Sequence, residues 1–290
     1  GQEQWSQTFG GTESDVGISV QQTNDGGFII TGTTESFGNG GRDVYLIKTN
    51  ENGQEQWSQT FGGIEDDFSI SIKQTSDGGY IITGSTLIDI TRYVYLIKTN
   101  ENGQEQWSQI FLGSMDESKG MSVQQTYDGG YIITGTRFDD NWDDGFTFYD
   151  LLLIKTDEIG QEQWIQTFRG EGDKGDYGHS VIQSIDGGYI ITGETKSFGN
   201  NSGDLWLIKT DQEGQEQWSK TFGGLERDRG FSIEQTTDGG YIITGETSSF
   251  GDGENDIYLI KTNENGQEQW SQTFGGTESD VGISVQQTND

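Results

Sequence analysis

One ten-residue string, KTNENGQEQW, constrains the fold of this chain more than any other feature. It occurs at residues 48–57, 98–107 and 261–270, and close variants stand at 155–164 and 209–218. Its last five letters, GQEQW, begin at residues 1, 53, 103, 160, 214 and 266, so successive copies are 50 to 57 residues apart. Repeat periods of this size are typical of propellers, solenoids and arrays.

Each repeat is expected to contain four β-strands. In the first repeat the strands are predicted at residues 17–23, 28–32, 43–49 and 55–61. The outer two alternate polar and apolar residues, which indicates one buried face, and the inner two are continuously apolar. The segments NDGG (24–27) and NENG (50–53) are strong turn signals, so the pattern is two hairpins joined by a longer loop.

A small sheet with two apolar faces must be covered by neighbours like itself, and radially stacked sheets form a β-propeller. The fold class predicted is therefore all-β, a β-propeller of four-stranded antiparallel blades. Alanine, the best helix former, is absent from the chain, which argues against long helices. Five complete blades are expected at 15–61, 67–111, 119–168, 176–222 and 228–274. One domain would span residues 1–290, with repeats 1–52, 53–102, 103–159, 160–213, 214–265 and a partial repeat 266–290.

The two ends of the chain are duplicates, because residues 266–290 repeat residues 1–25 letter for letter. Five blades leave over two outer strands, one fourth strand at 1–9 and one first strand at 280–290. These strands could form an incomplete sixth blade, or exchange into a neighbouring chain and so form a homo-oligomer. The chain could also be a piece, natural or engineered, of a longer array. Five blades are preferred and six are the alternative.

The tryptophan that ends each repeated string is interpreted as a packing device between blades, because an indole buries a large area and keeps one N–H donor. These structural tryptophans are Trp5, Trp57, Trp107, Trp164, Trp218 and Trp270. The lysine before each turn is expected to face the glutamate after it across the hairpin, as Lys48 would face Glu55.

The units DGGYIITG and DVYLIKTN-ENG-QEQW resemble the tandem β-propeller repeats of archaeal and bacterial surface or secreted proteins. The glycine-to-tryptophan step is also similar to the tryptophan-docking repeat of quinoprotein-type propellers, although the segment before the glycine is one residue shorter. The resemblance covers the whole chain and implies a propeller at the cell surface or outside the cell. It brings no catalytic residues.

Charge and composition exclude several classes of function. The formal net charge of −32 disfavours nucleic-acid partners, which need a basic face. No apolar run reaches the roughly 18 residues of a membrane helix, so membrane insertion is not expected. With no cysteine, zinc and thiol chemistry are disfavoured. The one histidine, His179, replaces an apolar residue of the other repeats and is interpreted as a tolerated core histidine.

Function is expected on the face formed by the b–c loops (second to third strand) and the d–a loops (between blades). These loops are long and vary between repeats, whereas the a–b and c–d turns hardly vary. The longest is RFDDNWDDGFTFYD at residues 137–150. Its carboxylates and aromatic rings suit a sugar or a calcium ion. The candidate ligand-binding residues are Asp139, Asp140, Trp142, Asp143, Asp144 and Tyr149.

The sequence thus predicts a non-enzymatic binding or structural module that is extracellular or at the cell surface, with a protein or glycan ligand. No catalytic residue and no cofactor are indicated, and calcium is left open. One alternative is a glycan-binding or glycan-hydrolysing propeller. Another is a ligand-free or engineered repeat scaffold that self-associates through its duplicated ends.

Overall fold

A computed structural model describes residues 2–111, 117–141, 146–170, 174–199 and 202–288. Every regular element in these ranges is a β-strand. The chain divides into two compact units, of which unit 1 is Gly1–Tyr131 with Thr156–Gln161 and unit 2 is Ile132–Lys155 with Glu162–Asp290. Each is described by itself.

Unit 1 contains two complete four-stranded sheets. Sheet one has the order β1-β2-β3-β4, formed by Asp15–Gln22, Phe28–Thr34, Asp43–Thr49 and Glu55–Phe61. Sheet two has the order β5-β6-β7-β8, formed by Asp67–Gln74, Tyr80–Ile88, Thr91–Thr99 and Glu105–Phe111. The strand β9, Ser118–Gln125, also belongs to this unit.

Unit 2 contains the rest of sheet three and two further sheets. The strands that join β9 in sheet three are β10, β11 and β12, formed by Tyr131–Asn141, Phe146–Thr156 and Glu162–Phe168. Sheet four, β13-β14-β15-β16, is formed by Asp176–Gln183, Tyr189–Thr195, Asp204–Thr210 and Glu216–Phe222. Sheet five, β17-β18-β19-β20, is formed by Asp228–Gln235, Tyr241–Thr247, Asp256–Thr262 and Glu268–Phe274.

The predicted fold class is confirmed: the chain is all-β, with five four-stranded antiparallel sheets of the β-propeller type. The four strands of each sheet follow one another in sequence, as the repeat pattern predicted. In sheet four the two inner strands are buried at every position, whereas the outer strand β16 is exposed at most positions. An inner strand is buried on both faces because a neighbouring sheet covers each side.

Sheets one and two pack face to face in unit 1. Ile29, Val44 and Leu46 of sheet one lie in a single cluster with residues from three strands of sheet two. Those partners are Ile72, Tyr80, Ile82 and Ile97, with Tyr95 at the edge. Each fully buried aliphatic side chain contributes about 1.5–3 kcal/mol relative to an exposed one. In unit 2, residues at the equivalent positions of sheets four and five form a cluster of the same kind.

The conformation of the c–d turn explains why the ten-residue string recurs. Asn50 accepts hydrogen bonds through Oδ1 from the backbone N–H groups of Asn52 and Gln54, both at 3.0 Å, and so closes the turn. Gly53 then takes a φ of 75°, which only glycine adopts at low cost. A Cβ on Gly53 would lie 2.5 Å from a ring carbon of Trp5. Turn closure and the close approach of a tryptophan therefore both require this sequence.

The same docking is repeated along the chain. The tryptophan of one repeat lies against the turn glycine of the next, in the pairs Trp57–Gly103, Trp107–Gly160, Trp164–Gly214 and Trp218–Gly266. Each ring also approaches the aromatic residue that opens the second strand of that next repeat, as Trp57 approaches Tyr80 with ring centroids 6.0 Å apart.

The expected pairing of Lys48 with Glu55 is wrong. A bulge between Lys48 and Thr49 shifts the register, so that Lys48 lies opposite Trp57 and Thr49 lies opposite Glu55. The ammonium group of the buried Lys48 instead reaches the a–b turn and pairs with Asp25 at 2.9 Å. Equivalent pairs are Lys98–Asp77, Lys209–Asp186 and Lys261–Asp238. Each of these ion pairs connects the end of the third strand to the a–b turn of the same sheet.

The strands expected at 1–9 and 280–290 are absent from the described residues of these segments. Residues 2–9 and 280–288 are not paired into a sheet, although both segments pack on the sheet beside them. A strand requires a ladder of backbone hydrogen bonds to a neighbouring strand. The segment 280–288 makes isolated backbone hydrogen bonds to sheet five, from Asp280 to Asn255 and from Gly282 to Gly245, but the described residues of neither segment form such a ladder.

Candidate functional site

The b–c and d–a loops lie side by side at one edge of the sheets, as the sequence predicted. In unit 1 the amide of Gly41, in the b–c loop of sheet one, donates to the carbonyl of Ile64, in the d–a loop, at 3.0 Å. In unit 2 the hydroxyl of Ser202 donates to the carbonyl of Leu225 at 3.0 Å. Within each unit, the two sets of loops therefore lie on the same surface.

The aspartate that begins the first strand of a sheet holds these loops in place in sheets one, four and five. In unit 2, Asp228 accepts hydrogen bonds through Oδ2 from the amide of Gly224 at 2.9 Å and from the hydroxyl of Ser249 at 2.7 Å. Asp15 does the same with Gly11 and Ser36 in unit 1. The recurrent SFG of the b–c loops is thus explained by its serine, which binds this carboxylate. The sequence pattern contained both residues, but their partnership was not inferred.

A second buried aspartate faces the first across a glycine. A Cβ on Gly62 would lie 2.2 Å from Oδ1 of Asp43 and 2.5 Å from Oδ2 of Asp67. Burial, together with the charge of Asp67, raises the pKa of Asp43. Burial also raises the pKa of Asp67. In the part of the chain that the structure describes, no group of three or more His, Cys, Asp or Glu residues could hold a metal ion.

The predicted blade-three site is only partly described. Trp142, Asp143 and Asp144 lie outside the described residues. Asp139 and Asp140 are placed by backbone alone, near the end of β10. Tyr149, on β11, is 38% exposed. The acidic part of the predicted site therefore stays a prediction, and the description below rests on Tyr149.

Tyr149 is the middle ring of three in unit 2. Its ring centroid is 5.1 Å from that of Phe138 and 5.3 Å from that of Tyr177, with an angle of 30° between the two tyrosine planes. These three residues, from β10, β11 and β13, are named the aromatic row. Such separations are favourable for aromatic pairs and add to the rigidity of the rings.

Charged side chains border the aromatic row. The ammonium group of Lys196 lies 5.8 Å from the ring centroid of Tyr177. Glu194, which is buried, receives two hydrogen bonds from the guanidinium group of Arg227, at 2.8 and 2.7 Å. This bidentate pair and the cation over the ring leave both signs of charge beside a partly exposed apolar surface.

The sequence indicated one member of this row and missed two. Phe138 stood inside the predicted loop but was not singled out. Tyr177 lies in the next repeat, where Val16 and Phe68 occupy the equivalent place, and its distance along the chain from Tyr149 concealed the contact. The signal available was that both tyrosines border the same set of loops.

His179 is the extra residue of a β-bulge in β13, because the register shifts between Gly178 and Ser180. The residue is half-buried, its ring centroid lies 5.3 Å from that of Phe231, and its buried Nε2 has no hydrogen-bond partner among the described residues. Burial, and then the positive charge of Arg229, lower its pKa to about 4. These features match a packed neutral histidine.

The low pKa makes stability depend on pH. The unfolded chain takes up the proton at an ordinary pKa of 6.5 and the folded chain at about 4, so acid favours unfolding. The free energy of unfolding of His179→Ile should therefore exceed that of the natural chain by about 2 kcal/mol more at pH 5 than at pH 7. Urea unfolding at both pH values measures it. An unchanged difference would contradict the buried neutral histidine.

No family model matches the sequence, and no curated protein matches it. Solved structures do resemble it. Sqt1 of Chaetomium thermophilum, solved bound to the N-terminus of the ribosomal protein L10, has 12% identity and a TM-score of 0.47, and the match covers 94% of this chain and 78% of the other. A putative exo-β-1,3-galactanase of Bifidobacterium bifidum s17 has 16% identity and a TM-score of 0.49, over 90% and 92% of the two chains.

A eukaryotic initiation factor has 13% identity and a TM-score of 0.46, and the match covers 89% of this chain and 55% of the other. At these identities the likeness concerns the fold alone. Separately, none of the described residues forms a helix long and apolar enough to cross a membrane.

Proposed function

We propose that this protein is a non-enzymatic binding module that holds a basic polypeptide segment on the face formed by its b–c and d–a loops. The observation that carries the proposal is the aromatic row, Phe138, Tyr149 and Tyr177, which is partly exposed on rigid strands in unit 2. Aromatic residues on a rigid scaffold beside variable loops are typical of recognition surfaces.

Two features favour a cationic partner. The net charge of −32 attracts basic segments over a distance and raises their rate of association. The chain also places its own cations over rings at this edge, as Lys196 over Tyr177 and, in unit 1, the guanidinium group of Arg92 at 4.7 Å from the ring centroid of Phe68. A partner's lysine or arginine would meet the same electrostatic attraction.

The resemblance to archaeal and bacterial repeat proteins supports a place for this module at the cell surface or outside the cell. That location is part of the proposal. The proposal also includes a relationship to quinoprotein-type propellers, which the similarity to their tryptophan-docking repeats supports. Fractionation of cells that express the whole gene tests the location.

Binding of a fluorescent peptide of alternating lysine and tyrosine, measured by anisotropy, tests the proposed partner. We expect Tyr149→Ala to weaken binding about tenfold, because one well-placed cation–π contact with its apolar area is worth about 1–2 kcal/mol. We also expect the affinity to fall as salt is raised, since opposite charges are screened.

Tyr127→Ala is the matched control, because Tyr127 is an exposed tyrosine on an a–b turn, which belongs to the other set of loops. It should leave the affinity unchanged. Equal losses in the two variants would contradict the proposed face.

A glycan is the second candidate ligand, favoured by the exposure of the Tyr149 ring. An exposed aromatic ring offers an apolar face on which a sugar can stack. Glycan-array hits that Tyr149→Ala abolishes, without any peptide affinity, would decide for this candidate.

A further inference from the structure

One face of sheet one is more exposed along its first two strands than the same face of the other sheets. The sheet-one face consists of Val20, Phe28, Ile30, Tyr45 and Ile47, of which only Tyr45 and Ile47, on the third strand, are buried. Val20 is 64% exposed, whereas the residues at the same position in the other four sheets are at most 3% exposed. Those residues are Ile72, Val123, Val181 and Ile233. A cavity of about 160 Å³ opens on this face, beside Ile30 and Ile47.

Sheet five has a partly exposed face of the opposite kind. The sheet-five face consists of Ile242, Ile257, Leu259 and Phe274, at the positions with which sheet one holds sheet two. Phe274 is 48% exposed, whereas its equivalents in the other four sheets are at most 9% exposed. Those equivalents are Phe61, Phe111, Phe168 and Phe222.

The two faces carry residues equivalent to those on the two sides of the interface between sheets one and two. Within unit 1, sheet two packs Ile72, Tyr80 and Ile82 against the face of sheet one that holds Ile29 and Leu46. The sheet-one face carries the equivalents of these sheet-two residues. The sheet-five face carries the equivalents of Ile29 and Leu46. A sheet-five face therefore fits a sheet-one face in the way that sheets inside the chain already fit each other.

The segment 280–288 shows how a first strand docks on sheet five. The amide of Val285 donates to the hydroxyl of Ser232 at 3.3 Å, as Val123 donates to Ser71 at 3.4 Å in unit 1. The amide of Thr237 also donates to the side chain of Gln287 at 3.0 Å. The segment thus makes a first strand's contacts without a second strand beside it.

At the other end of the chain, residues 2–9 pack against sheet one in the way that β4, the fourth strand of sheet one, packs against sheet two. The ring of Trp5 lies 5.7 Å from that of Phe28 and against Gly53, as Trp57 lies against Tyr80 and Gly103. Each of the two faces is therefore contacted by one strand-like segment, and part of each face stays exposed, as Val20 and Phe274 show.

We propose that a second copy of this chain docks its sheet-one face on the sheet-five face, with exchange of the duplicated segments. The sequence of 15–23 is identical to that of 280–288, so β1 of the incoming copy can replace the segment 280–288 contact for contact. In turn, β20 of the first copy replaces residues 3–9 of the second, which have the same sequence as 268–274. The exchange conserves these contacts and adds burial of the inner strands.

The same geometry predicts assemblies larger than a dimer. The contact is head to tail, so each junction leaves one free face of each kind at the two ends. The net charge of −32 per chain opposes assembly at low salt. We therefore expect the mass to rise in multiples of 32.1 kDa with protein concentration, and to rise further with salt.

Sedimentation equilibrium of the full chain over roughly 1–100 µM, at low and high salt, tests the proposal. Val20→Glu places a charge on the sheet-one face at an exposed position, so the fold is retained and association should weaken at least tenfold. Ile90→Glu is the matched control, because Ile90 is 89% exposed in the b–c turn of sheet two, and it should associate like the natural chain.

Val285→Glu gives the sharpest result, since Val285 is the duplicate of Val20. The substitution weakens docking of the segment that must leave, so association should become at least threefold tighter. A constant single-chain mass in all conditions overturns the proposal, as does association that Val20→Glu leaves intact. Equal weakening by Val20→Glu and Val285→Glu overturns the exchange. Tyr149→Ala should leave association unchanged, which separates this surface from the binding face.

Discussion

Gly103→Ala is expected to lower the free energy of unfolding by about 2–4 kcal/mol. Gly103 has a φ of 75°, where an alanine costs about 1 kcal/mol. A Cβ there would also lie 2.4 Å from a ring carbon of Trp57, so the indole must move out of its packed position. Displacement of a packed side chain costs about 1–3 kcal/mol more. Urea unfolding followed by tryptophan fluorescence measures the loss.

Gly78→Ala separates the two contributions to that loss. Gly78 has a φ of 84°, but a Cβ there would meet no atom closer than 4.0 Å. This variant should therefore lose only the backbone contribution of about 1 kcal/mol. If both variants lose the same free energy, the tryptophan does not dock on Gly103 in the way that the structure shows.

Much of the fold could be predicted because each repeat carries local signals that agree with one another. The apolar inner strands, such as 43–49, and the turns at 24–27 and 50–53 specify strand order and strand bounds without long-range information. The error at Lys48 had a long-range cause. A bulge shifted the register by one residue, and the true partner, Asp25, belongs to the other hairpin of the sheet.

The candidate site was less predictable for a related reason. A loop's composition could be read at residues 137–150, but the aromatic row forms because Tyr177 of the next repeat lies beside Tyr149. Contacts between neighbouring repeats depend on side chains that differ between copies, and a periodic pattern carries no information about them. The tryptophan docking could be inferred only as a role, since its partner glycine is also in the next repeat.

Asp77→Ala is expected to lower the free energy of unfolding by about 2–3 kcal/mol. The ammonium group of buried Lys98 lies 2.8 Å from a carboxylate oxygen of Asp77, and removal of the aspartate leaves that charge buried without a counter-ion. Breaking a fully buried pair costs about 3–5 kcal/mol, and the expected loss is smaller than that because Asp77 is half exposed to water. Asp77 also accepts a hydrogen bond from the amide of Gly79 at 3.0 Å, which closes the a–b turn.

A double substitution identifies the cause. Lys98→Met removes the buried charge and keeps the length of the side chain, so Asp77→Ala with Lys98→Met should be about 1–2 kcal/mol more stable than Asp77→Ala alone. If the single and the double variant are equally stable, the loss in Asp77→Ala comes from the weakened a–b turn and not from the uncompensated charge of Lys98.

Acid gives an independent check of the same pair. Burial acts to raise the pKa of Asp77, but the hydrogen bonds from Lys98 and Thr75 outweigh it and lower that pKa below its usual 3.8. The folded chain therefore holds this proton less tightly than the unfolded chain. The contribution of the pair is present well above the unfolded pKa of 3.8 and is lost as the pH falls through the lower pKa of the folded chain. Asp77→Asn keeps the shape of the turn without the charge. Its stability relative to the natural chain should accordingly improve as the pH is lowered from 5 to 3, because the natural chain alone loses the ion pair.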